Sequence, residues 1–483
     1  MVGNKTINRP EDLARDWQWT KVLFSDSPLI NDYSSARAII NEGINGVILE
    51  SPIINQDGLS KHIGWYRQAA KELDTRISII QELSGPELLI GDFKGVIEVT
   101  KGQVIQFVYR PTSLSDGQIP LKCNLVNYVK RGEKIELFNG RVSCVVSSIK
   151  EQVIFAEVLN DGILIQGKPI SLPETDLQAE FISDQDRRDL VYGSTQDIDY
   201  VCIGNVRTVN DIERLRHLLS GMNYQAKIIV RIETHQALKN LEDVFSSCDA
   251  VIASYDQLSQ LIRPEKAALV IARLSTLSQN LAKPMIVSVQ PQSGSATNKS
   301  IISDIARDLV DSVRYRVDGL WLKLETPNNI NQIISSISAV FKIIRISECE
   351  KLTWYQAKTN LTNQSVLSQT TILNAVGDLA TKLQAKGIVN ESRIGLAILD
   401  VASLRSDIPL LGVTSDQRRA NQLAIIWGVR PFVRSGDQLN DVELFDWLRS
   451  TQLFSSGDLV VLAVGESRGE LGTIDTFKIR VME

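Results

Sequence analysis

Two carboxylates stand just beyond apolar runs that read as strands. Glu233 ends KIIVRIE (227–233) and Asp256 follows AVIASY (250–255), with a helix-length segment between them. In parallel α/β proteins, ligands and reacting groups gather at the carboxyl ends of strands. Carboxylates placed there suit Mg2+ or Mn2+, which take few protein ligands and keep several waters. Such a metal serves phosphoryl transfer, which depends on positioning and on neutralised phosphate charge. Arg231, two residues before Glu233, adds a fixed cation. A guanidinium can grip a phosphate or carboxylate, but it cannot give up a proton. The same residues also read as solvated acids, or as an ion pair of Arg231 with Glu233 or Asp256.

The elements that would position these residues follow from the spacing of apolar runs. TKVLFSD, GVILES and RISIIQEL are strands separated by the helices YSSARAIINEG and DGLSKHIGWYRQAAKEL. Apolar runs of four to six between helices indicate a parallel sheet covered on both faces. From Gly95 to about Ile170, short runs alternate with turn residues, which indicates an all-β insertion. α/β alternation resumes at Ser183, a candidate N-cap for SDQDRRDLVYGSTQ. DYVCIG, KIIVRIE, AVIAS, PMIVSV and GLWLKL bring the count to about eight βα units, the size of a TIM barrel. Beyond the polar stretch KLTWYQAKTNLTNQSVLSQT, a second α/β region begins. There TTILNAVGDLATKLQAKG reads as a helix, and RIGLAILD and PLLGVTS as strands. DQRRANQLAIIWG reads as a helix closed by Gly428, and RPFV, GDLVVLAVG and FKIRVM as further strands.

The expected architecture is therefore α/β: a TIM barrel, an inserted small β-barrel domain and a C-terminal α/β domain. The expected boundaries are an extension at 1–20, a barrel at 21–91 and 173–345, the insertion at 92–172, a linker at 346–369 and the last domain at 370–483.

Composition narrows the function. The chain has 483 residues, 43% hydrophobic and 23% charged, enough to bury large cores. With 52 basic against 57 acidic residues it lacks the basic excess of a nucleic-acid binder. Cys123, Cys144, Cys202, Cys248 and Cys349 are scattered and odd in number, which fits reduced thiols in a cytoplasmic, reducing compartment. His62, His217 and His235 are too dispersed for a zinc site. No apolar run reads as a bilayer span, and the first residues do not read as a secretory signal.

Several motifs in order give a resemblance. GKPISLPETD, DRRDLVYGSTQDIDYV, KIIVRIE, GVTSDQRRANQLAIIWGVRPFV and GDLVVLAVG resemble segments of the pyruvate kinase family, and the resemblance covers nearly the whole chain. It implies a glycolytic transferase that converts phosphoenolpyruvate and ADP to pyruvate and ATP, commonly as a homo-oligomer. It implies Glu233 and Asp256 as ligands for Mg2+ or Mn2+, and Arg231 in the place of the catalytic lysine. Thr297 remains from the TNKS skeleton as a substrate contact. In the last domain, Ser392, Arg393 and Arg468 match positions where many relatives hold a sugar-phosphate effector.

Other positions depart from the family. Ile48, Glu50, Pro52 and Ile53 stand where the family has an Arg, an Asn, a Ser and a His. Glu82, Leu83, Ser84 and Leu89 stand for an Asp, a Thr, a Lys and an Arg, and Ser254 and Tyr255 for an Arg and a Gly. These losses argue against K+ as a cofactor. Each lost phosphate contact removes a charge-assisted hydrogen bond of roughly 1.5–3 kcal/mol. Two function classes follow. One is an inactive homologue with a structural, regulatory or assembly role, with protein partners in a larger assembly. The other is an active or altered phosphotransferase that uses Arg231.

Overall fold

The computed structural model describes residues 17–50, 56–85, 88–109, 115, 117–137, 140–168, 170–172, 175, 181–291, 298–324, 327, 329–349, 373, 375–392, 395–434, 441–464 and 476–482. The chain opens with β1 (Lys21–Ser25), α1 (Tyr33–Asn41), β2 (Gly46–Glu50), α2 (Gln56–Glu72) and β3 (Ser78–Glu82). Asp32 caps α1 by accepting from the Ser35 amide at 2.7 Å. A buried cluster fastens α2 to the end of β1: Asp26 takes His62 Nδ1 at 2.7 Å and the Tyr66 hydroxyl at 2.6 Å.

The insertion follows as β4 (Ile97–Val99), β5 (Val104–Tyr109), β6 (Gln118–Leu121), β7 (Lys134–Leu137), β8 (Val142–Lys150), β9 (Val153–Val158), β10 (Gly162–Leu164) and β11 (Ile170–Ser171). It is all-β as expected. Among the described residues it is an open half-barrel rather than a closed one: a six-stranded sheet in the order β11-β7-β8-β9-β5-β6 beside the ribbon β10-β4. Its own core includes Ile105, Phe107, Ile135, Val146 and Ile154.

The barrel resumes with α3 (Asp184–Gly193), β12 (Tyr200–Ile203), α4 (Val209–Gly221), β13 (Lys227–Arg231), α5 (His235–Lys239), α6 (Leu241–Ser247) and β14 (Ala250–Ser254). It ends with α7 (Tyr255–Leu261), α8 (Pro264–Leu281), β15 (Met285–Val289), α9 (Asn298–Arg314), β16 (Gly319–Leu322) and α10 (Ile330–Cys349). Ser183 caps α3 in a reciprocal box with Asp186. Strands β1, β2, β3, β12, β13, β14, β15 and β16 close into one parallel barrel. Alternation then sorts each strand into two faces. Phe24, Val47, Ile79, Val201 and Val230 pack outward under the helices. Leu23, Ile48, Ile80, Cys202, Ile229, Ile252, Ile286 and Trp321 fill the interior.

Helix α10 is long and apolar enough by composition to cross a membrane, which the sequence reading did not anticipate. It packs as the last barrel helix through Ile333, Ile337, Val340 and Ile344.

The C-terminal region comprises α11 (375–382), β17 (Gly387–Glu391), α12 (Leu396–Ser403), β18 (Leu410–Thr414), α13 (Gln417–Leu423), β19 (Val429–Val433), α14 (Asp441–Ser450), β20 (Leu459–Val464) and β21 (Thr476–Val481). Its sheet runs β19-β18-β17-β20-β21, parallel except for β21. Two expectations are corrected here. The described part of RIGLAILD, from Gly395 on, is not a strand: the strand is GIVNE before it, and LAILDVAS is helical. Ala397, Ile398, Val401 and Ala402 bury one helical face, a period a strand cannot give. Helix α13 also ends at Leu423, short of Gly428.

The residues between Leu423 and Gly428 do something else. Ile425 and Ile426 join the barrel's interior cluster and stopper its amino-terminal mouth. Polar contacts fix the plug to the beginnings of the strands. Ser78 Oγ donates to Asn421 O at 2.5 Å, the Tyr200 hydroxyl to Gln422 O at 2.9 Å and Lys21 Nζ to Val429 O at 2.8 Å. Asp318 accepts from both Arg405 terminal nitrogens, at 2.9 and 2.6 Å, and from the Trp427 amide at 3.0 Å. The Arg405 and Asp318 side chains are only 4% and 2% exposed, so each charge depends on the other.

Breaking a buried pair from one side leaves an uncompensated charge. Arg405→Met should therefore lose about 3–5 kcal/mol in urea unfolding, and the Asp318→Asn/Arg405→Met double variant should lose less. A second outcome concerns pH. Burial pushes the Lys21 amine from its usual 10.5 down to about 7, while Glu348 pulls it back up. The unfolded chain then binds a proton that the folded chain has released, so this residue makes stability rise with pH between those values. Lys21→Met should remove that rise when unfolding is compared at the two ends of the window.

Candidate functional site

Alternation that fills the barrel with aliphatic side chains changes character at the carboxyl end. One step beyond the apolar layer, the inward positions are Ser25, Glu50, Glu82, Arg231, Ser254, Ser288 and Lys323. Glu50 and Glu82 are register partners on β2 and β3. Two carboxylates directly opposite repel one another unless cations intervene.

Two cations do. Arg231 Nη1 donates to Glu82 Oε1 at 2.5 Å, and Nη2 to Glu233 Oε1 at 3.3 Å. Lys323 Nζ lies 3.3 Å from Glu50 Oε1 and 5.1 Å from the centre of the Trp321 ring. Hydrogen bonds complete the set: Ser25 Oγ donates to Glu50 at 2.7 Å, Trp321 Nε1 to Ser25 Oγ at 2.9 Å and the Asn205 amide to Glu233 at 2.8 Å. The Arg231 side chain is 15% exposed and that of Glu82 is 7% exposed.

The electrostatics follow from this packing. Burial pushes the Glu82 carboxyl up, against the pull of Arg231 and Lys323 and with the support of Glu50 and Glu233. Burial also works against the Arg231 charge, but Glu233 and Glu82 outweigh it and hold the proton more firmly than usual. Gly204, at the end of β12, lets the backbone lie flush against this pair. A Cβ there would fall on the Glu233 carboxylate and the Arg231 guanidinium.

The expected site residues are only partly brought together. Arg231 and Glu233 are in contact, and the ion-pair alternative noted from the sequence is the one observed. Asp256 lies apart: it is exposed, in the first turn of α7, and no contact joins it to Glu233 among the described residues. Partial desolvation by the surrounding chain still raises its carboxyl. The group it acts on is Asp308 of α9, pushed up to about 6 by burial first and by Asp256 second. Ser392 follows β17 where the sheet order changes direction, and its Oγ accepts from the Gly395 amide at 3.0 Å. Glu391 beside it is held by Arg434, through Nε at 2.9 Å and Nη2 at 2.7 Å. Thr297, Arg393 and Arg468 lie outside the described residues, as do Pro52 and Ile53.

The sequence reading missed Lys323. The signal was present, since Lys323 lies just beyond the apolar run of GLWLKL and continues the alternation of Gly319 and Trp321. Among the described residues no group of three His, Cys, Asp or Glu is placed to hold a metal ion. The Glu233 oxygen that would be a ligand already accepts from Arg231 and from Asn205. A divalent ion at that oxygen would have to compete with both donors.

Fold and site together define a TIM-barrel α/β protein with a β insertion, a C-terminal α/β domain and a charged layer at the strand ends. The barrel-domain model of pyruvate kinase matches residues 18–326, and the alpha/beta-domain model of pyruvate kinase matches residues 370–480. The chain belongs to the pyruvate kinase family. Pyruvate kinases of Staphylococcus aureus strains MRSA252 and USA300 are each 24% identical over 474 residues, spanning 96% of this chain and 80% of theirs. That identity marks a divergent member.

Gly204→Ala should cost about 1–3 kcal/mol in urea unfolding, because the new methyl must displace the Arg231–Glu233 contact. Gly64, on the open side of α2 with nothing within 4 Å of an added Cβ, is the control. Gly64→Ala should gain about 0.5–1 kcal/mol from helix propensity alone.

Proposed function

We propose that this chain is a pyruvate kinase homologue that has lost turnover and serves a structural, regulatory or assembly role. The observation that carries the reading is the commitment of Arg231. It stands where the family's lysine would be, and its guanidinium bridges Glu82 and Glu233. A group so held neither releases a proton nor turns to meet a phosphate. The neighbouring replacements support the same reading. Ile48 is buried in the barrel interior and carries no charge for a substrate, and Glu50 repels a phosphate.

The role fits a cytoplasmic homo-oligomer that meets protein partners rather than nucleic acid. Ser392, Arg393 and Arg468 are the effector-binding candidates of such a regulatory component, and Thr297 the remaining substrate contact. Mg2+ or Mn2+ at Glu233 and Asp256 belongs to the alternative, an active kinase.

A coupled assay with phosphoenolpyruvate, ADP, Mg2+ and K+ tests the reading. Loss of several charge-assisted phosphate contacts predicts turnover roughly a thousandfold or more below a family member assayed alongside. Turnover within about tenfold of that member would overturn it. Native mass addresses assembly: a single chain that brings no partner through purification counts against an assembly role.

A further inference from the structure

We propose that the barrel mouth supplies its own cations: Arg231 and Lys323 pair with the converging carboxylates in place of an inorganic ion. Three carboxylates meet there, from the ends of β2 and β3 and from just beyond β13. Each is reached by a tethered cation: Glu50 by Lys323 at 3.3 Å, Glu82 by Arg231 at 2.5 Å and Glu233 by Arg231 at 3.3 Å. Ser25 and the Asn205 amide supply further donors to Glu50 and Glu233.

Supporting features hold both cations in place. The Trp321 ring, pinned by its hydrogen bond to Ser25, lies beside the Lys323 ammonium. The missing side chain at Gly204 leaves room for the guanidinium. A tethered cation competes with a free ion at high effective concentration, and Mg2+ would also have to shed waters to enter. The mouth therefore assembles without Mg2+, Mn2+ or K+. This proposal concerns ion binding and does not depend on whether the protein turns over.

The test is a Mn2+ titration of the full chain followed by the free-ion electron paramagnetic resonance signal. It is paired with melting curves in potassium and in choline chloride, with and without Mg2+. The wild-type protein should take up no stoichiometric Mn2+, and its melting temperature should not respond to the ion, as mass action would demand of a bound one. Arg231→Met should expose a site on Glu82 and Glu233 and bind Mn2+ at least about tenfold more tightly than wild type. Adding Glu233→Gln should abolish that gain. One equivalent of Mn2+ on the wild type, lost in Glu233→Gln, would overturn the proposal while leaving catalytic silence untouched. A folded Arg231→Met that gains no site would also overturn it. If Arg231→Met does not fold, Lys323→Met carries the test at Glu50, where a cation-dependent rise in melting temperature is expected and its absence sinks the idea.

Discussion

Closure of eight parallel strands imposes one constraint on everything near the mouth of this barrel: every second side chain must point inward. Once Glu50, Glu82 and Arg231 occupy inward positions at the last turn of their strands, none can leave without breaking the register that fills the barrel with Leu23, Ile48, Ile80 and Ile229 below. Glu50 and Glu82 are forced opposite one another. The ion pairs with Lys323 and Arg231 are the response to that forced proximity. The hydrogen-bond frame of Ser25, Trp321 and Asn205 is the response to the remaining lone pairs.

The other end of the barrel solves a different problem. An open interior would leave Leu23, Ile48 and Trp321 facing water, and a hydrophobic interior needs a lid on its amino-terminal side. The C-terminal region provides one with Ile425 and Ile426, held by backbone carbonyls that accept from Ser78, Tyr200 and Lys21. The same segment carries Trp427, flanked by the guanidiniums of Arg316 and Arg405 at 5.7 and 5.4 Å. Barrel and last domain thus share one core, and retaining this scaffold does not require retaining the chemistry at the opposite mouth.

Much of this was legible in the chain. Helices and strands of the barrel followed from apolar spacing, Ser183 was recognised as a cap, and Arg231 and Glu233 were singled out as neighbours. Reading failed where a short apolar run has no period of its own. RIGLAILD is as apolar as a strand, and only the buried face formed by Ala397, Ile398, Val401 and Ala402 reveals the helix. Asp256 was paired with Glu233 because both follow strands. The chain turns straight into α7 after Ser254, which puts Asp256 in the first turn of that helix, where its charge adds to the burial that raises Asp308.

What the sequence determined by itself was the family, the order of elements and the set of charges near the strand ends, because these depend on local spacing and residue type. Which charges meet was decided only by the tertiary structure. Arg231 is 149 residues from Glu82 along the chain, and Lys323 is distant in sequence from Glu50, so neither pairing leaves a local trace. Closing the barrel fixes the register between strands far apart in sequence. That register gathers charges from separate strand ends into one network of ion pairs.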